Sequence, residues 1–243
     1  MTTGIDLLFG NMKKLGPSSD ADTRHALGLL PSRKFESIVD AGCGSGRQTI
    51  VLARDLNTLI HAIDAHQPFL DDLHRYAGDE GIGHLIQTHC MDTRKLPDAF
   101  RNVDRLWSEG AAYNIGFANA PRVWSSAVAP RGCVALTELT WLSEDAPGIA
   151  KEFFAVGYPA MQSVQQNIAD CQNAGYQLLT TYTLPKEAWT DDFYEVLEPR
   201  ATSLADHTDG SIRELAAGML QEIEVFKQAG DSYGYVFYIL QRN

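Results

Sequence analysis

The stretch that decides the fold is residues 38–46, which read IVDAGCGSG. A short apolar run, typical of a buried strand, closes on three glycines at alternate positions. Glycine allows a tight turn and lets a ligand approach the backbone closely, and a helix that follows such a turn offers free N–H groups to an anion. We therefore predict a strand, a ligand-binding turn and a helix over residues 46–56.

The same alternation of strand and helix continues away from this turn. Five β-α repeats in a row predict a parallel sheet with helices on both faces, and a last strand that follows a long helical stretch can return antiparallel. Two helices, at 4–15 and 20–30, precede the first strand. The pattern predicts further strands at 58–63, 84–90, 103–107, 132–139, 176–183 and 233–241, and helices at 67–80, at 119–129, twice within 140–173 and over most of 186–229.

Composition limits the class of partner. The 243 residues carry a formal net charge of −11, which disfavours phosphate backbones and anionic membranes as partners. The chain contains no apolar run long enough to span a membrane and no signal-like start, so we expect a cytoplasmic protein. Cys43, Cys90, Cys133 and Cys171 lie far apart without metal-ligand spacing, and we expect no metal site. A homodimer is compatible with the sequence.

Electrostatics separates two classes of nucleotide ligand. Asp40 precedes the glycines, where its carboxylate would repel a pyrophosphate and attract an ammonium or a sulfonium. Arg47 also stands where the dinucleotide pattern G-x-G-x-x-G requires glycine. Asp40, Gly42, Gly44 and Gly46 form the pattern D-x-G-x-G-x-G. It resembles the first motif of the class I S-adenosylmethionine-dependent methyltransferases, and the resemblance covers about residues 36–139.

The resemblance implies an architecture. We expect an α/β, Rossmann-like sheet of seven mostly parallel strands with helices on both faces, an antiparallel last strand and extra N-terminal helices. Residues 1–243 would form a single methyltransferase domain. Within it, residues 1–35 would be an N-terminal helical cap, 36–139 the cofactor-binding half and 140–243 the acceptor-side half.

The resemblance also implies a set of residues that bind S-adenosylmethionine. Asp64 ends the second predicted strand, where a carboxylate can accept hydrogen bonds from both ribose hydroxyls. The alternative is that Asp64 only stabilises the turn after the strand. Asp92 would accept a hydrogen bond from the adenine amino group, and Met91 would lie against the adenine ring. The alternative role for Asp92 is to cap the N-terminus of a helix. The full predicted set is Asp40, Gly42, Cys43, Gly44, Gly46, Asp64, Ala65, Met91, Asp92, Ser108 and Glu109.

Residues that follow the fourth and fifth strands border the expected methyl group, because ligands of open α/β sheets lie beyond the carboxyl ends of the strands. Glu109 and Tyr113 are the predicted catalytic residues, and Asn114, Glu138 and Trp141 are predicted to bind the acceptor. For Glu109 two other roles stay open: contact with the cofactor, or a structural link to the N-terminal helices. The later aromatic residues could roof the acceptor pocket or belong to the core; they are Trp141, Phe153, Phe154, Tyr158, Trp189, Phe193 and Tyr194.

The segment at residues 107–114, WSEGAAYN, limits which class of molecule can be the methyl acceptor. It lacks the Asn/Asp-Pro-Pro-aromatic motif of the amino-group nucleobase methyltransferases and the Pro-Cys nucleophile of the cytosine-C5 enzymes. It resembles the corresponding segment of bacterial small-molecule methyltransferases related to the ubiquinone and menaquinone biosynthesis type. We therefore expect methyl transfer to a small molecule by in-line displacement.

Three other functions stay open at this point. The same cofactor could serve aminopropyl or carboxymethyl transfer. The chain could bind the cofactor without catalysis, although intact Asp40, Asp64 and Asp92 argue against a decayed site. An NAD dehydrogenase is disfavoured by Asp40 and Arg47.

Overall fold

The sheet is the centre of the computed structural model, which describes residues 3–31 and 35–243; residues 1–2 and 32–34 of the expected N-terminal cap lie outside the described residues. Its strands are β1 (Ile38–Ala41), β2 (Ile60–Asp64), β3 (Ile86–Cys90), β4 (Val103–Ser108), β5 (Val128–Trp141), β6 (Gln162–Ser163), β7 (Tyr176–Thr183) and β8 (Tyr233–Arg242).

The strand order is β3-β2-β1-β4-β5-β8-β7, with the two-residue β6 paired to β5 beside this path. β1 to β5 are parallel, and β8 lies antiparallel between β5 and β7. This is the expected Rossmann-like sheet with an antiparallel last strand. The short β6 is the one strand that the sequence pattern did not predict.

The helices are α1 (Gly4–Phe9), α2 (Asp20–Gly28), α3 (Arg47–Leu56), α4 (Gln67–Asp79), α5 (Leu96–Ala99), α6 (Ala120–Trp124), α7 (Gly148–Gly157), α8 (Val164–Asn173), α9 (Glu187–Trp189), α10 (Glu195–Ser203) and α11 (Gly210–Ala229). No helix among the described residues is long and apolar enough to cross a membrane.

Alternate residues of each central strand enter two separate cores. On β5, Cys133 and Ala135 face a core with α3, α4, α10 and α11, whereas Val134 and Leu136 face a core with α6 and α8. β1 is buried along its whole length, as expected for a parallel strand covered on both faces. Helices therefore lie on both sides of the sheet.

Two predicted helices are shorter than their sequence patterns. The first ends at Phe9 because Gly10 leaves the helical conformation while its N–H still bonds to the Asp6 carbonyl. The helix predicted over 119–129 ends at Trp124, because Val128 already pairs with Val103 in the sheet. In the first case the backbone conformation of Gly10 ends the helix, and in the second a sheet pairing does, before the apolar pattern ends.

The turn between β1 and α3 depends on glycine. Gly42, Gly44 and Gly46 all have positive φ values, of +77°, +54° and +86°. A Cβ atom on Gly46 would overlap the Leu73 side chain of α4. Backbone conformation and close packing both exclude a larger residue here.

We expect Gly46→Ala to lower the free energy of unfolding by about 2–4 kcal/mol, from left-handed strain and overpacking against Leu73. Gly78→Ala is the matched control, because a Cβ at this α4 position meets no atom within 4 Å. That control should stay within about 1 kcal/mol of the wild type. Urea denaturation of both variants makes the measurement, and equal effects would contradict the packing argument.

Candidate active site

A cavity of about 360 Å³ opens at the carboxyl ends of β1 and β2. The glycine turn forms its floor, because Gly42, Cys43 and Gly44 line it. The N–H groups of Gly42 and Cys43 both bond to the Ile63 carbonyl, at 2.8 and 2.9 Å, which fixes the turn against β2. The first turn of α3 has no side-chain cap and follows this floor directly.

Asp64 stands at the end of β2 and lines the same cavity. The backbone N–H of Gly44 donates to its Oδ2 at 2.9 Å, and the N–H of His66 donates to its Oδ1 at 2.9 Å. Each carboxylate oxygen keeps further acceptor capacity, since an ionised carboxylate accepts about four hydrogen bonds. Two backbone bonds therefore orient Asp64 and leave it able to accept a pair of hydroxyls.

Asp40 lies behind the turn rather than in the cavity. Its side chain is fully buried, and the Thr49 hydroxyl donates to Oδ2 at 2.6 Å. Oδ1 has no hydrogen-bond partner among the described residues, and burial raises the pKa of the carboxyl to about 7. Asp40 does not line the cavity, so its expected contact with a cofactor ammonium stays a prediction.

The glycine floor, Asp64 and the uncapped start of α3 fit an adenosyl cofactor with an amino-acid tail. Gly42 lines the cavity, and a Cβ atom there would overlap the Ala111 side chain, so the backbone of the turn faces the cavity bare. The turn and α3 would hold the carboxylate tail of the cofactor, and Asp64 would hold the ribose.

Glu109 is the centre of a buried hydrogen-bond network. Arg47 of α3 donates to its Oε2 at 2.6 Å, and only 5% of the Glu109 side chain and 11% of the Arg47 side chain are exposed. Oε1 accepts from Trp107 Nε1 and from the Thr23 hydroxyl, both at 2.8 Å. Arg47 also donates to the Ser18 hydroxyl at 3.1 Å. The network ties β4, α3 and α2 together.

This network argues against the predicted role of Glu109 as general base, which stays a prediction. Three donors, one of them a guanidinium, hold the carboxylate toward Arg47, Trp107 and Thr23. The structure supports the alternative that Glu109 links the sheet to the N-terminal helices. Glu109 still lines the first cavity, which would hold the cofactor and is called the cofactor cavity below.

A second cavity, of about 310 Å³, adjoins the first; we call it the acceptor cavity. Among the aromatic residues that the sequence offered for its roof, Phe153, Phe154, Tyr158, Trp189 and Phe193 line it. The two cavities have a common wall, formed by Phe9, Leu15, Gly16, Pro17, Gly110 and Tyr113. The predicted catalytic residue Tyr113 thus stands where the two cavities meet.

Glu138 lies behind the acceptor cavity, on β5. Its side chain is buried, and the Tyr158 hydroxyl donates to Oε1 at 2.6 Å. Burial raises the pKa of Glu138 to about 8, and the hydrogen bond from Tyr158 opposes this shift. Since Tyr158 lines the cavity, Glu138 reaches it through that hydroxyl and not by direct contact.

Several other predicted residues lie outside both cavities. Asp92 caps the short turn that follows β3 and pairs with Arg94 at 2.6 Å, which is the N-cap alternative. Ser108 is buried and donates to the Ala41 carbonyl at 2.8 Å, so it joins β4 to β1. Met91 packs on the core beside α6 and α8. The cavity linings do not include Ala65, and Gly46 lies beneath Leu73.

Two predicted acceptor residues also change place. Trp141 packs edge-on against Phe154, with ring centroids 5.7 Å apart, and lines a surface groove instead of the acceptor cavity. Asn114 lines the cofactor cavity, where its amide donates to the Ala111 carbonyl at 3.1 Å. The loop after β4 turns back toward β1, which takes Asn114 away from the acceptor side.

Among the residues of the acceptor cavity that sequence reasoning missed, two carry polar groups, Glu222 of α11 and Tyr235 of β8. The alternation of aromatic residues at 233–237 was an available signal for Tyr235, because it places Tyr233, Tyr235 and Phe237 on one face of a strand. Glu222 gave no signal, since a single acid in a helix of mixed charge is ordinary.

Residues 38–132 match the model of the methyltransferase domain family. This match agrees with the expected methyltransferase over that part of the chain. Two solved structures titled as S-adenosylmethionine-dependent methyltransferases in complex with S-adenosylhomocysteine share the fold of this chain. The Thiobacillus denitrificans protein is 18% identical with a TM-score of 0.79, covering 98% of each chain. The Geobacter sulfurreducens protein is 15% identical with a TM-score of 0.80, covering 99% of this chain and 98% of its own.

The fold is similar to that of another protein with a different reaction in its title. The [4+2]-cyclase SpnF is 18% identical with a TM-score of 0.74, and the match covers 95% of this chain and 85% of the cyclase. Likeness of fold alone therefore does not identify the acceptor, which has to be argued from the cavity.

We expect Arg47→Met to lower the free energy of unfolding by about 3–5 kcal/mol, because it leaves the buried Glu109 carboxylate without its counter-ion. Arg47→Met combined with Glu109→Gln should cost less than Arg47→Met alone. Arg54→Met in the same helix is the control: Arg54 pairs with Glu80 at the surface and is 42% exposed, so about 0–1 kcal/mol is expected. Urea denaturation of these variants measures the free energies of unfolding. If the effects of the two single substitutions simply add in the double variant, the coupling between Arg47 and Glu109 is contradicted.

The raised pKa of Glu138 predicts a pH dependence of stability. The folded state holds a proton up to about pH 8, whereas the unfolded carboxyl has the ordinary value of 4.5, so stability falls as pH rises across this window. The slope is at most about 1.4 kcal/mol per pH unit. The free energy of unfolding of Glu138→Gln, measured by urea denaturation from pH 5 to 8, a range of about three units, should lack this contribution to the slope. The exposed Glu144→Gln should retain the wild-type slope, and identical slopes in both variants would refute it.

Proposed function

We propose that this protein methylates a small molecule held in the acceptor cavity, by in-line displacement. The observation that carries the proposal is the common wall of the two cavities, which has Tyr113 and Gly110 at the junction. A largely apolar cavity of about 310 Å³ suits a small ligand with few polar anchors. The acidic chain, with a net charge of −11, does not favour a nucleic acid as acceptor.

The chain's own residues would divide the work as follows. The glycine turn with the start of α3, and Asp64, bind and orient the cofactor. S-adenosylmethionine supplies an electrophilic methyl group when it is bound. Tyr113 orients the acceptor at the junction, and positioning of this kind can supply much of the rate. Where the acceptor carries a proton that must leave, ionised Glu138 would accept it through the Tyr158 hydroxyl, and the pKa of about 8 makes this form abundant only as the pH rises toward that value.

The three parts of the domain that the sequence predicted, residues 1–35, 36–139 and 140–243, each have a proposed task. Residues of the cap 1–35, including Phe9, Leu15 and Pro17, line both cavities and would exclude water from the reacting groups. The half 36–139 holds the glycine turn and Asp64. The half 140–243 supplies most of the aromatic walls of the acceptor cavity.

Calorimetric titration with S-adenosylhomocysteine tests the cofactor site. We expect Asp64→Ala to weaken binding about tenfold to a hundredfold, because it removes charge-assisted hydrogen bonds to the ribose. Asp71→Ala on the exposed face of α4 is the control and should bind like the wild type. NAD should not bind. Unchanged affinity of the Asp64 variant, or binding of NAD in place of the adenosyl compound, would overturn the assignment.

A further inference from the structure

The acceptor cavity has walls of aromatic rings. Trp189 is one of them, with its ring centroid 5.4 Å from that of Tyr235, which also lines the cavity; Phe226, outside the lining, stacks on Trp189 at 5.0 Å. Phe153 and Phe193 also line the cavity. Aromatic faces carry negative potential and attract a desolvated cation, most strongly where several rings surround it.

One carboxyl group lines this cavity, that of Glu222 on α11. The Tyr194 hydroxyl donates to Oε1 at 2.8 Å, and Oε2 accepts no hydrogen bond from any described residue. No lysine, arginine or histidine of the described ranges 3–31 and 35–243 lines the cavity. Burial raises the pKa of Glu222, which is the expected result for a carboxyl that lacks a counter-ion.

A second carboxyl, that of Glu138, lies close to the cavity without lining it. Glu138 is buried behind Tyr158 and holds its proton up to about pH 8, so it adds no charge near neutral pH. The one carboxyl that a ligand in the cavity can meet is therefore that of Glu222. An anionic acceptor would be repelled by a Glu222 carboxylate, and an apolar acceptor would leave its Oε2 without a partner among the described residues. The group that suits the rings and Glu222 together is an organic cation.

We propose that the methyl acceptor is an amine that binds as its ammonium ion, with Glu222 as the counter-ion and the rings around Trp189 as the surrounding walls. The ammonium nitrogen would give one proton to the Glu222 carboxylate, and the lone pair freed in this way would form the new N–C bond while the S–C bond of the methyl donor breaks and leaves its electron pair on sulfur. This inference rests on the proposed function, because the cavity is an acceptor site only if the neighbouring cavity holds the cofactor.

The test uses tetramethylammonium as the probe, since so small a cation fits the cavity whatever the shape of the natural acceptor. tert-Butanol and pivalate are neutral and anionic probes of similar size. The readout is the indole N–H signal of Trp189 in the nitrogen-15 spectrum of the full chain saturated with S-adenosylhomocysteine, assigned by Trp189→Phe. We expect saturable binding of tetramethylammonium at least about tenfold tighter than that of either other probe.

Glu222→Gln should remove that preference while it leaves the affinity for S-adenosylhomocysteine unchanged. Glu214→Gln, at an exposed position of the same helix, should keep the preference. A response to tert-butanol equal to that of the cation, no response to the cation, or a preference that survives in Glu222→Gln would each overturn the amine assignment alone. Failure of S-adenosylhomocysteine to bind the wild type would instead overturn the proposed function, and this inference with it.

Discussion

The left-handed turn between β1 and α3 is the constraint on which the rest of the site depends. Gly42, Gly44 and Gly46 let three other parts of the chain approach the same few backbone atoms: Ala111 after β4, Leu15 of the N-terminal segment, and Leu73 of α4. A side chain at any of these positions would push one of those parts away. The turn therefore shapes the cofactor cavity from below and also fixes the segments that close it from the side and from above.

Buried charge is handled in two different ways around that turn. Glu109 is compensated by Arg47 and two further donors, so it serves as an anchor between the sheet and the N-terminal helices. Among the described residues, Glu138 and Glu222 each accept a hydrogen bond from one tyrosine hydroxyl and from no other donor. Acids that are fully paired hold the fold together, and acids left with one neutral partner are available to a ligand or a proton.

The sequence predicted what is encoded locally. The glycine turn, Asp64 at the end of β2 and the alternation of strands and helices each arise within a few neighbouring residues. The role of Glu109 was not predictable, because Arg47 lies 62 positions away and the pairing depends on how α2 and α3 pack. Glu222 reaches the acceptor cavity only through the packing of α11. The glycine turn and Asp64 were therefore predictable from neighbouring residues, and the contacts assembled from distant segments were not.

The position of β8 has a consequence for how the protein reaches its native state. β8 follows every other described element in chain order, yet it lies between β5 and β7 and pairs with both. During synthesis β5 and β7 must wait with open edges until residues 233–242 leave the ribosome. Open strand edges are templates for pairing with other chains. The ordering of the acceptor side, which includes Tyr235, is thus a late step in folding, and the nascent chain is most exposed to aggregation just before it.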